Sequence, residues 1–220
     1  MIEKNWIKEL ANIENWNKYS QGGEEAYIAY ILKELPTANF IVEIGAGDGF
    51  HLSNTRYFIE NGYDSILLDA DNQGNAEVKM HRIIKENVNA ILSTYNCPTK
   101  FDFLSIDTDG NDFWILDELL TKYSPSLIVA EFNASIQKDK SVSIKYDSNF
   151  SWQGDDYYGF SFEAGKKLAE KHGYTIVFLN NNMNIFLLRN EFIEGVDIPE
   201  YTYEVSDYFR VSDRTDWVEI

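Results

Sequence analysis

The sequence predicts an α/β fold, a doubly wound and mostly parallel sheet that ends in a C-terminal antiparallel hairpin. Three observations predict it. Short apolar runs alternate along the chain with stretches whose apolar residues recur at three- and four-residue steps, the pattern of buried strands joined by crossover helices. The run Phe40-Ile-Val-Glu43-Ile leads into Gly45-Ala-Gly47-Asp-Gly49, a turn at which another backbone or a ligand comes close. The last two apolar runs are separated only by Asn180-Asn-Asn-Met183, a connection short enough to demand an antiparallel pair.

The elements follow in order. Residues 1–20 carry Trp6, Ile7, Leu10, Ile13 and Trp16 at helical steps, and residues 24–35 place Tyr27, Ile28, Ile31, Leu32 and Leu35 on one face. Pro36 stops that helix. The first strand covers 39–44. A helix follows over 53–61, capped by Ser53 or Asn54 and closed by Gly62. The second strand is 65–69, a weak helix covers 72–79, and the third strand runs from His81 to Lys85. The fourth runs from Phe101 to Asp107 and feeds a helix capped at Asn111 that continues to about Lys122. The fifth runs from Ser126 to Glu131. A helix over 161–172 closes on Gly173 and leads into the hairpin strands 174–179 and 184–188.

This organisation is one domain over 1–220: N-terminal helices to residue 36, a core over 37–190, and an acidic arm over 191–220. The arm carries nine acids against two basic residues. Both the arm and the N-terminal helices are candidate surfaces for homo-oligomer formation. The net charge of −17 argues against a nucleic-acid partner and against docking on anionic membranes, since both need Lys and Arg neutralisation. The single cysteine, Cys97, permits no intramolecular disulfide and suits a reducing cytoplasm. No signal-like leader and no apolar stretch of about 20 residues stand in the sequence. The expectation is a cytoplasmic protein that acts on a small molecule.

In open α/β sheets ligands sit outside the carboxyl ends of the strands. There the first strand delivers Glu43 with Gly45, Gly47 and Gly49; the second Asp69; the third Glu86 and Asn87; the fourth Asp107 and Asp109; the fifth Glu131 and Asn133. Glycines let a ligand approach the backbone, and a carboxylate such as Asp69 can accept both hydrogen bonds of a ribose diol. Glu86 and Asn87 are placed for an adenine edge. Asp107 and Glu131 lie one strand-helix-strand unit apart, which sets them side by side. Clustered acids repel unless they share a proton or a cation, and oxygen ligands favour Mg²⁺ or a similar divalent ion. The alternatives are a structural glycine turn, a solvated acid at 69, and a helix-capping turn over 107–110. His51 is a candidate base or substrate contact, or a helix-start residue. Tyr146, Phe150, Trp152, Tyr157, Tyr158 and Phe160 are either an aromatic wall over the site or the packing of a long connection. Lys138, Lys140 and Lys145 are solvated or hold an acidic group.

The glycine pattern after Glu43 resembles motif I of class I S-adenosylmethionine (SAM)-dependent methyltransferases, whose Rossmann-like sheet also ends in an antiparallel hairpin. A wider pattern is similar to an FkbM-related group of bacterial methyltransferases: Tyr19-Ser20-Gln21-Gly-Gly-Glu24-Glu25; Val42 to Thr55; Leu104 to Trp114; Glu131-Phe-Asn133-Ala; and Tyr157-Tyr-Gly-x-Ser161. The resemblance implies SAM as cofactor, held by Glu43, Gly45, Gly47, Gly49, Asp69, Glu86 and Asn87. Metal-dependent O-methyltransferases place an acid after strand four and a pair after strand five. That likeness implies Asp107, Glu131 and Asn133 as ligands of Mg²⁺ or another divalent cation, with Asp109 as base, although Glu131 and Asn133 are not adjacent. The expected reaction is O-methylation of a hydroxyl on a sugar or other small metabolite. A metal-independent O- or N-methyltransferase and a non-catalytic SAM- or nucleotide-binding module are the alternatives.

Overall fold

A computed structural model describes residues 6–220. The strands are β1 (Phe40–Ile44), β2 (Asp64–Asp69), β3 (Val78–Met80), β4 (Phe103–Ile106), β5 (Leu127–Glu131), β6 (Val142–Ser143), β7 (Tyr174–Asn180), β8 (Asn184–Arg189) and β9 (Val218–Glu219). The α-helices are α1 (Trp6–Glu9), α2 (Glu24–Lys33), α3 (Arg56–Glu60), α4 (Val88–Thr94), α5 (Asp112–Leu119) and α6 (Phe162–His172). The main sheet has the order β3-β2-β1-β4-β5-β8-β7. β1 to β5 pair in parallel, and β8 lies antiparallel to both β5 and β7. This is the predicted doubly wound, Rossmann-like sheet with its terminal hairpin.

Helices cover both faces, which is why the strands are apolar at successive positions rather than alternate ones. Val42, Ile44, Leu104, Ile106, Ile128 and Ala130 share a core with Val88, Leu92, Leu116 and Leu168 of α4, α5 and α6. Ile41, Phe103, Leu127 and Val129 point the other way, against Ile7 of α1, Ile28 and Ile31 of α2, and Phe58 of α3. α6 is delimited by local chemistry. The Ser161 hydroxyl accepts from the Ala164 N–H, and Gly173 ends the helix at φ +79°.

Four expectations shift. The first helix is one turn, Trp6–Glu9, followed by a 3-10 turn at Leu10–Asn12, and residues 13–20 are not helical; residues 1–5 lie outside the described residues. No helix forms over 72–79, where the side chains of Asp71, Asn72 and Asn75 make Asx turns by accepting the N–H groups of Gln73, Gly74 and Glu77. The third strand is Val78–Met80, so His81–Lys85 runs beyond its end. A helix absent from the sequence reading, α4, follows it.

The acidic arm lies along its own domain. β9 pairs antiparallel with β6, the buried Tyr203 donates its hydroxyl to the Ile136 carbonyl at 2.7 Å, and Trp217 packs on Tyr157 with ring centroids 4.6 Å apart. Trp6, Ile7 and Leu10 are likewise spent on the core of this chain. No helix among the described residues is long and apolar enough to cross a membrane.

Candidate functional site

β1 has β2 on one side and β4 on the other, so the strand order reverses there, and a cleft of about 540 Å³ opens at the carboxyl ends of these strands. The glycine turn forms one wall. Gly45 (φ +88°) donates its N–H to the Leu68 carbonyl at 2.9 Å, and a Cβ there would lie 1.6 Å from the Asp107 carbonyl oxygen. The protein itself therefore demands this glycine: the turn after β1 rests on the chain leaving β4. Gly47 differs. Its φ is +52°, but a Cβ there would meet nothing nearer than Gln73 Nε2 at 3.7 Å. It faces the open cleft and donates its N–H to Asp69 Oδ2 at 2.8 Å. Gly49 is outside the cleft lining; its carbonyl accepts from Arg56 Nε at 2.6 Å.

Asp69 lines the cleft and accepts the Asp71 N–H on its other oxygen at 2.9 Å. A carboxylate has roughly four acceptor sites, so acceptor capacity remains. Glu43 lines the cleft from a buried position and accepts three hydrogen bonds. It takes the hydroxyls of Ser53 (2.7 Å) and Thr55 (2.6 Å) and the Asn54 N–H (2.8 Å). Burial pushes its pKa up, and these hydrogen bonds oppose the rise. Glu43 thus fixes the segment between the glycine turn and α3.

Glu86 and Asn87 are not brought into the cleft. Glu86 accepts the Tyr146 hydroxyl, while Asn87 closes the turn before α4 by accepting from the Ile84 N–H and donating to the Arg82 carbonyl, both at 2.9 Å. Because β3 ends at Met80, the residues presented to the cleft are His81, Arg82, Ile83 and Ile84. Of these Ile83 and Ile84, with Ile115 and Phe150, give the cleft apolar walls.

The acids after β4 and β5 do converge. Asp107, Asp109 and Glu131 each offer a carboxylate oxygen, all within 4.8 Å of one another. Burial, then the charges of Asp112 and Asp109, push the Asp107 carboxyl up to about 7. Burial, then Asp107, hold Glu131 well above the carboxylate range. Asp109, open to the cleft, is raised by desolvation and then by Asp112 and Asp69. Asp107 and Glu131 interact through their carboxyl groups, an arrangement that needs a shared proton or a cation.

Asn133 does not join them. It is fully buried, donates to the carbonyls of Asp156 and Tyr158 at 2.9 Å, and accepts from the N–H and hydroxyl of Ser135. Its amide is used up, so it is a staple for the chain over 156–158 and not a metal ligand. Asp109, read from sequence as a base, takes the third place in the cluster. The capping role after β4 belongs to Asp112, which accepts from the N–H groups of Thr108 and Gly110 and the Thr108 hydroxyl. His51 sits at the rim with its side chain 90% exposed and Nδ1 2.6 Å from Asp48 Oδ2. Asp48 raises the pKa of His51 and is itself lowered to about 2, chiefly by that hydrogen bond.

Of the six aromatics after β5, only Phe150 lines the cleft. Tyr157, Tyr158 and Phe160 are buried, and Trp152 packs edge-on against Tyr158 and against Phe209 of the arm. The packing alternative holds for most of this stretch. Lys138 lies by Tyr203 and Glu204 of the arm. Gln21 and Arg82 are cleft residues that sequence reasoning did not single out for it. A signal for Gln21 was the double acid that follows it: Glu25 accepts the N–H groups of Lys18, Tyr19 and Ser20, and Glu24 that of Gly22, which moulds the segment onto the cleft.

No family model matches the chain, and no curated protein matches it. Among solved structures, the N-terminal domain of EvdMO1, crystallised in the presence of SAH and D-fucose, is similar with a TM-score of 0.43 and 12% identity, over 83% of this chain and 93% of that one. The small RNA methyltransferase HEN1 is similar with a TM-score of 0.37 and 13% identity, over 90% of this chain and 28% of that one. Neither likeness carries a residue role or an activity over to this chain.

Proposed function

We propose that this protein is a SAM-dependent methyltransferase that methylates a hydroxyl of a sugar or other small metabolite. The observation that carries the reading is one cavity with two unlike ends. At one end Gly47 leaves room beside the backbone and Asp69 keeps acceptor capacity; at the other Asp107 and Asp109 line the cleft, with the Glu131 carboxylate against them. The first suits the amino-acid and ribose parts of SAM. Ile83, Ile84 and Phe150, in place of Glu86 and Asn87, offer apolar walls for the base.

Methyl transfer is an in-line displacement that needs orientation and a place for the acceptor proton. Asp109, open to the cleft with a raised pKa, takes that proton. Asp107 and Glu131 orient the hydroxyl. The same all-oxygen set fits Mg²⁺ or a similar divalent ion, which Asp107, Asp109 and Glu131 would hold. Such an ion, when bound, lowers the pKa of an acceptor hydroxyl.

The test is calorimetric titration with S-adenosylhomocysteine (SAH), followed by methyl transfer from labelled SAM to a panel of sugars with and without EDTA. SAH should bind. Binding of NADH and not SAH would overturn the reading. Transfer unaffected by EDTA and by added Mg²⁺ would retain the methyltransferase and remove the metal.

A further inference from the structure

We propose that residues 146–150 form a strap across the nucleoside end of the cleft, with Phe150 as its inner wall and Arg82 as the positioning residue that fastens it. The inference rests on reading the cleft as a SAM site.

The strap lies between β6 and α6 and is tied by three residues from two other parts of the chain. Arg82, just beyond β3, donates from Nε to the Ser148 carbonyl at 3.1 Å and from a terminal nitrogen to the Phe150 carbonyl at 2.5 Å. Tyr146 donates its hydroxyl to Glu86. Asn111, at the start of α5, donates Nδ2 to the Asp147 carbonyl at 2.8 Å. The strap therefore bridges from the end of β3 to the turn after β4, the two strand ends that flank the apolar part of the cleft.

Phe150 is pressed inward. A Cβ on Gly110 would come within 2.5 Å of its ring, so the ring occupies the space this glycine leaves. Arg214 of the C-terminal arm lies 4.1 Å from the Tyr157 ring centroid and 5.8 Å from that of Phe150. The arm thus backs the strap. Phe150, Ile83, Ile84 and Ile115 give the cleft apolar walls, in a lining that also carries the acids Glu43, Asp48, Asp69, Asp107 and Asp109. Of the parts of SAM, only the purine is a flat, uncharged group that suits such walls. Arg82 is itself exposed and its guanidinium holds two carbonyls. A planar fork can do that where an ammonium serves one less well.

The test uses the full chain, titrated calorimetrically with SAH and with 5′-methylthioadenosine, which has the nucleoside without the amino acid. Phe150→Ala should weaken both ligands by about fivefold or more, the low end for removing an aromatic beneath a base. Arg82→Ala should weaken both as well, Arg82→Lys should recover part of the loss, and the double variant should be no weaker than Phe150→Ala, since both act on one wall. Phe150→Leu keeps the space filled and serves if Phe150→Ala fails to fold. If the wild type binds SAH but Arg82→Ala binds it equally well, the proposal is overturned. The same holds if the two losses add in full, or if Phe150 variants weaken SAH and leave methylthioadenosine unchanged. No SAH binding by the wild type would instead bring down the cofactor reading, and the strap with it.

Discussion

Two groups of carboxylates stand in this chain, and the fold treats them oppositely. Glu24, Glu25, Glu43, Asp102 and Asp112 each accept three hydrogen bonds. Glu25 takes three successive N–H groups, and Asp102 takes the N–H groups of Ala38 and Phe40 with the Thr37 hydroxyl. Glu24 takes the Gly22 N–H and the side-chain amides of Asn180 and Asn184. Asp107, Asp109 and Glu131 face one another instead, and among the described residues Asp107 has only the Asp109 N–H and the Glu131 carboxyl for partners. The first group secures loops that shape the cleft. The second leaves negative charge without enough donors inside it, a costly arrangement for a group with no work to do.

The contrast can be broken most directly in the first group. Glu25→Ala strands three N–H groups and should cost about 3 kcal/mol or more of unfolding free energy. Urea denaturation reads this, and a loss under about 1 kcal/mol would show that water replaces the carboxylate. Next in size, Asp69→Ala should weaken SAH binding by roughly 1–3 kcal/mol. An unchanged affinity by titration would remove Asp69 from the site.

The third prediction sharpens the contrast through pH. Asp107, with a folded pKa of about 7 against an ordinary 3.8, binds more protons in the folded chain than in the unfolded one. Its stabilisation is therefore present below the unfolded value and lost as pH rises through the folded one. Thermal unfolding without divalent ions should show Tm falling between about pH 4 and pH 7, and Mg²⁺ should flatten the slope. A slope unaltered by Mg²⁺ would argue that no cation joins the acids. The smallest expected change in stability is that of Asp107→Asn, within about 1 kcal/mol of wild type at neutral pH, because it removes repulsion along with charge. The same variant should abolish methyl transfer while SAH still binds. Retained transfer would exclude Asp107 from the chemistry.

The sheet was legible wherever strands are buried on both faces. β1, β2, β4, β5 and β8 are apolar runs that no other element accommodates. β3 was misplaced because it is only three residues long with a single buried side chain, Val78. The stronger apolar pair next to it, Ile83 and Ile84, lines the cleft instead. α4 was missed because Val, Ile, Ser and Thr weaken its helical signature; Val88, Ile91 and Leu92 at three- and four-residue steps were the available sign. Within the site, Asp69, Asp107, Asp109 and Glu131 were readable because strand ends point to a shared place. Asn133 was misread because its partners, Asp156 and Tyr158, come from a loop whose path no local pattern gives. Gly45 was read as a ligand's glycine; it lines the cleft, and it is also demanded by the Asp107 carbonyl, contributed by a different strand.

Glu24 carries a consequence for the order in which this protein assembles. Its contacts with Asn180 and Asn184 join residues 156 and 160 positions apart. A loop of that length closes only after the intervening chain has lost most of its freedom, so contacts of this kind form late. The segment that brings Gln21 to the cleft can dock only once the last hairpin has formed. During synthesis from the N-terminus, the first residues of the site to leave the ribosome are among the last to reach their native places.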